Sequence, residues 1–183
     1  MRHRMRVLSL AIVVAGLVGC GAPEAPPSDP AVWQDAGDRA YRTGDLLEAE
    51  RAYRVAFSLY DPRDPAMRER RGALAFATGR SLARAVRDPD APWSSAGLAR
   101  RAFDADAWLR LALQIDPDRG WAHLQRARLF DAAHEALSKP EEARAAYEAF
   151  LSWQASNPPQ RVQPPAKDDP KVLHARKRLE ALQ

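Results

Sequence analysis

Gly44–Pro62 reads GDLLEAERAYRVAFSLYDP. Within it, Ala49, Tyr53, Ala56 and Tyr60 recur at steps of four, three and four, which lays one apolar stripe along a helix. Asp45 stands at the N-cap position, and Glu48 follows three residues later, as in a capping box. Asp61-Pro62 closes the stretch, because proline cannot continue a helix. The same punctuation recurs at Asp29-Pro30, Asp64-Pro65, Asp88-Pro89, Asp116-Pro117 and Asp169-Pro170. Aspartate caps well, and proline fits a first helical turn, where its missing N–H has no partner to lose. Asp29-Pro30, Asp64-Pro65 and Asp169-Pro170 each open an apolar-periodic segment. Alanine, arginine, leucine and glutamate dominate and strand evidence is thin, so the expectation is an all-α chain.

The Ala–Tyr–Ala spacing followed by proline resembles the second helix of a tetratricopeptide (TPR) repeat. Trp33 and Gly37 match that family's aromatic and small residues on the first helix, while Ala36 and Ala40 depart from its leucine and tyrosine. Ala105, Leu109, Ala112 and Pro117 reproduce the second-helix pattern, and Ala143, Tyr147 and Phe150 do so with phenylalanine last. Ala56 and Ala112 lie 56 residues apart, however, where the family repeat is about 34. The stretched middle repeat reads as a helix near Pro65–Val86, a loop at Arg87–Trp93 and a helix from Ser94 or Ser95 to Ile115. Its first helix has no clear register, since Leu74, Phe76 and Leu82 share no narrow stripe. A third repeat starts near Asp118, with Leu124, Ala127 and Phe130 on its first helix and Ser138 with Glu141 capping its second.

The resemblance implies a helical-hairpin solenoid of about three repeats over residues 29–156. The proline-rich stretch 157–169 reads as a linker. Residues 170–183 form a capping helix, with Val172, Ala175, Leu179 and Leu182 on one face covering the last repeat. In this family, the first helices line a concave groove that grips a peptide or helix. Carried over by spacing, the groove positions are Gln34, Asp38, Tyr41 and Arg42 in the first repeat, and Trp121, Leu124 and Arg128 in the third. Tyr41 either faces this groove or replaces the family's displaced core tyrosine. The basic and asparagine residues of the family's chaperone-tail clamp are absent at Gln34 and Asp38, so that activity is not implied.

The N-terminus carries a second resemblance. Residues 1–6 are cationic, and Val7–Val18 run uncharged for 12 residues. As a helix that is about 18 Å, too short for a membrane core of about 30 Å but fitting an export signal. It ends in Leu17-Val18-Gly19-Cys20, which resembles a bacterial lipobox. The resemblance implies that residues 1–19 are cleaved as a signal peptide and that Cys20, the chain's sole cysteine, carries diacylglyceryl and an N-acyl chain such as palmitate. Several acyl chains give stable membrane anchoring where one does not. Residues 20–28 then form a proline-rich tether. Gly21 follows the cysteine in place of an aspartate retention signal, which favours the outer membrane, facing the periplasm.

The net charge of +4 does not argue for nucleic acid. Three of the 28 basic residues are Arg2, Arg4 and Arg6; without them, 25 face 24 acidic ones. Glycine-rich phosphate loops, HExxH, CxxC and nucleophile elbows are missing, so neither enzyme nor cofactor is expected. His123 and His134 stand about three helical turns apart without a clustered third ligand. Asp104 and Asp106 do not face each other on a helix. Arg68, Arg70, Arg71, Arg80, Arg84 and Arg87 read either as a solvated face or as a patch for an anionic partner. The functional expectation is a membrane-anchored scaffold that holds a protein partner in the cell envelope. Two alternatives stay open: a structural subunit of a secretion or pilus assembly, and, with less support, a cell-wall enzyme.

Overall fold

The structure is a computed structural model and describes residues 27–131, 137–157 and 169–182. Cys20, the expected signal peptide, most of the expected tether, His134 and nearly all of the proline-rich stretch 157–169 lie outside these residues. The described chain is all-α: α1 (Pro30–Thr43), α2 (Leu46–Leu59), a 3-10 turn (Pro65–Met67) leading into α3 (Arg68–Val86), α4 (Ser95–Ile115), α5 (Trp121–Phe130), α6 (Pro140–Ser156) and α7 (Pro170–Ala181). None of these helices is long and apolar enough to cross a membrane.

Local chemistry sets the boundaries. Asp29 accepts the Ala31 N–H at 2.8 Å and Pro30 opens α1. Gly44 ends it at φ +89°, where a side chain would be strained, leaving a sharp hairpin into α2. Asp45 caps α2 through the Glu48 N–H at 3.1 Å. The reciprocal half of the capping box is not made, because the Glu48 carboxylate pairs with Arg51 instead. Ser94 caps α4 and Asp169 caps α7. Ser138, expected to cap α6, does not: the helix starts at Pro140, with Lys139 before it and no side-chain cap. A proline at the first helical position sets the start there without one.

Consecutive helices pack pairwise, and α3 also touches α5. Three clusters hold the array. Tyr53 and Ala56 of α2 and Tyr60 at its C-cap pack with Leu74 of α3 and Trp33 of α1. Leu82 and Val86 of α3, Leu109 of α4, and Leu129 and Phe130 of α5 form the middle cluster. Leu124 and Ala127 of α5, Tyr147 and Phe150 of α6, and Val172 and Ala175 of α7 form the last. Each cluster thus joins one helical hairpin to the first helix after it, so no hairpin buries its apolar face alone.

The register of α3 rests on a glycine. A Cβ at Gly79 would lie 2.7 Å from Leu109 Cγ and 3.0 Å from the Leu109 backbone nitrogen. Gly37 of α1 meets the Tyr53 ring of α2 in the same way, at 2.7 Å. In the third hairpin, Ala127 shares a cluster with Tyr147. A small residue on each first helix therefore lets the partner's large residue in.

Candidate functional site

Aligning the hairpins on these small residues brings one face into view. The residue after each is Asp38, Arg80 and Arg128; five after Gly37 and Gly79 stand Arg42 and Arg84. Arg42, Arg84 and Arg128 each sit in the last turn of their helix, so α1, α3 and α5 all end on a cation. Helix C-termini carry partial negative charge, which offsets part of this.

The cations converge. The Arg80 and Arg84 guanidinium groups lie 4.1 Å and 5.3 Å from the centre of the Tyr41 ring. Arg80 Nε is buried without a hydrogen-bond partner among the described residues. Half-buried Arg87 donates from Nε to the Ala83 carbonyl at 2.9 Å, and no other hydrogen bond from this guanidinium is made among the described residues. Burial pushes its pKa down, and the like charges of Arg128 and Arg84 push the same way, against the opposing pull of Tyr41 and Tyr147. Groups on α1, α3, α5 and α6 therefore act electrostatically on one guanidinium.

Beyond Arg87 the face deepens into a cleft of about 1030 Å³ between α3, α5 and α7. Its lining includes the cations Arg87, Arg128 and Arg178, the imidazole of His174, and the apolar residues Pro89, Trp93, Leu98, Leu137 and Leu182. Trp93 precedes the α4 cap and Leu98 lies one turn in, the arrangement of a hydrophobic staple. Two carboxylates border the cleft. Asp131 accepts from Tyr147 Oη at 2.9 Å and from both Arg178 Nε, at 2.7 Å, and Arg178 Nη2. Burial alone would raise the Asp131 pKa, but these hydrogen bonds outweigh it and hold the carboxyl below its ordinary value of 3.8. Asp88, at the rim, accepts the Asp90 N–H in a turn. Burial and Arg128 push His174 down, so its ring tends toward the neutral form.

The seven groove positions named from sequence divide. Arg128 lines the cleft. Tyr41 does both jobs open to it: it packs on the first cluster and presents its ring to Arg80 and Arg84. Arg42 is exposed and Gln34 half-buried. Asp38 is exposed, yet its carboxylate accepts the Tyr53 hydroxyl at 2.7 Å and so ties α1 to α2. Trp121 packs against Phe150 and Trp153 under Lys171, at the far edge of α5. Leu124 must be corrected: it is 1% exposed, in the α5–α6–α7 cluster, and an enclosed side chain offers nothing to a partner.

Arg80, Arg84 and Arg87 read from sequence as a solvated face or an anionic-partner patch, without a place beside Tyr41, and Trp93, His174 and Arg178 were not assigned to a cleft. The spacing of the arginines, four then three, was visible; what lay opposite them was not. Among the described residues, no group of three or more His, Cys, Asp or Glu is placed to hold a metal ion. No family model, curated protein or solved structure matches the chain.

Proposed function

We propose that this protein is a non-catalytic, TPR-like scaffold that holds a protein partner on the face formed by α1, α3, α5 and α7, while a lipid on Cys20 tethers it to the membrane of the cell envelope. The observation that carries this reading is the run of cations on or capping successive first helices, Arg42, Arg80, Arg84, Arg87 and Arg128, interleaved with Tyr41. Arginine and tyrosine combine apolar area with directional hydrogen bonds, which suits a surface that recognises a protein. The pairing of each small first-helix residue with a large second-helix residue supports the solenoid arrangement.

The test is photocrosslinking in cells, with the crosslinking residue placed at Arg84 on this face or at Phe103 on α4. A partner held in the groove gives a discrete adduct from position 84 and none from position 103. The structural-subunit reading has its own observation, the 75% exposure of Phe103, and it expects the reverse. Absence of adducts from both positions would reject both readings.

A further inference from the structure

The cleft between α3, α5 and α7 has more chemical character than a general docking face. Its lining brings together Arg87, at the C-cap of α3, and Arg128, in the last turn of α5. Neither forms an ion pair with a carboxylate among the described residues: Asp131 is held by Arg178 and Tyr147, and Asp88 serves its turn. Two guanidinium groups brought together in a half-buried site repel each other unless an anion joins them. The same cleft is lined by half-buried Trp93, with the Arg101 guanidinium 4.5 Å from the centre of its indole. A ligand that satisfies both the guanidinium groups and the indole carries negative charge and apolar bulk.

From this geometry we infer that the cleft binds a segment of the partner in which a carboxylate side chain sits beside a bulky apolar one, the carboxylate lying between Arg87 and Arg128 and the apolar group against Trp93. Carboxylate and guanidinium match in planar, two-point hydrogen bonding, so arginine rather than lysine suits this ligand. A cleft of about 1030 Å³ is large for a free carboxylate and has room for several side chains of a peptide. Phosphate alone leaves the indole uncovered. This inference rests on the groove reading and names the chemistry that the groove selects.

The full chain in nanodiscs of zwitterionic lipid is titrated into labelled, end-capped hexapeptides and followed by fluorescence anisotropy, with empty nanodiscs as the blank. Three probes alternate glutamate with leucine, glutamate with serine, and lysine with leucine. The expected result is saturable binding of the glutamate–leucine peptide, at least tenfold weaker binding of glutamate–serine, and none of lysine–leucine. Arg87→Gln and Arg128→Gln, each keeping an N–H donor, should weaken the first peptide at least tenfold with helical circular dichroism unchanged. Trp93→Ala should weaken it at least threefold. Equal binding of all three peptides, no binding of any, or undiminished binding to the folded Arg87→Gln/Arg128→Gln variant would overturn the inference. Crosslinks from position 84 alongside a peptide that does not bind would reject the cleft chemistry alone. Peptide binding without those crosslinks would reject the scaffold and leave the cleft.

Discussion

Gly79 and Tyr53 are the residues on which single changes speak most directly. Replacing Gly79 by alanine gains helix propensity, up to about 1 kcal/mol. It also drives a methyl group against the Leu109 backbone, which cannot rotate away as a side-chain tip can. Overpacking of this kind costs about 1–3 kcal/mol, so Gly79→Ala should lower stability in urea melts with the slope unchanged. A stabilised variant would show that α3 and α4 separate cheaply. Tyr53 is 1% exposed, and Tyr53→Ala should cost on the order of 3 kcal/mol by opening the α1–α2 cluster. Tyr53→Phe isolates the hydroxyl. Asp38 is exposed and regains water, so the loss should be only about 0.5–1.5 kcal/mol. Tyr147→Phe removes the same kind of bond from Asp131, whose side chain is only 8% exposed, and should cost more than Tyr53→Phe in the same assay. Equal costs would mean that burial of the acceptor does not matter here.

At the scale of elements, α7 is held by a small apolar seat and one ion pair. Val172 and Ala175 seat it, and Arg178 reaches across to Asp131 near the end of α5. The folded Asp131 pKa lies below its unfolded value, so its contribution is complete above about pH 4 and is lost as pH falls through the folded value. Asp131→Asn should therefore destabilise the protein at neutral pH and flatten the acid limb of its stability curve. Parallel acid limbs in wild type and variant, measured by denaturant melts from pH 2 to 7, would assign acid sensitivity to other carboxylates. Much of this layer was legible in the sequence. Asp29, Asp45 and Asp169 read as caps because a short carboxylate acts locally, and the Ala49–Tyr53–Ala56 stripe read as core because period alone fixes a helix face. The register of α3 was not legible. Its marker is the absence of a side chain at Gly79, and its exposed face carries arginines that a search for apolar periodicity passes over. Leu124 was misplaced for the opposite reason: family spacing put it on the groove, whereas the docking of α7 beside α5 and α6 buries it.

For the molecule as a whole, the proposed anchor and the proposed groove make separate demands. If Cys20 is lipidated, mass spectrometry of the mature N-terminus should find diacylglyceryl on the cysteine, and Cys20→Ser should leave residues 1–19 attached. An unmodified Cys20 in the wild-type protein would remove the tether while leaving the helical array untouched. The three clusters each bridge a hairpin to the next helix, so damage to one should loosen its neighbours more than the distant end. Of the cleft's residues, His174 and Arg178 belong to α7, a helix seated by the α5–α6–α7 cluster and one salt bridge. The cleft is complete only while that helix is seated. Occupancy of the cleft and seating of the helix are then thermodynamically reciprocal: whatever factor the helix adds to the ligand's affinity, the ligand must return to the helix's own equilibrium. A partner in the cleft would therefore act as a clasp on the chain's own C-terminal end, and slower amide exchange along Val172–Leu179 on binding would measure the strength of that coupling.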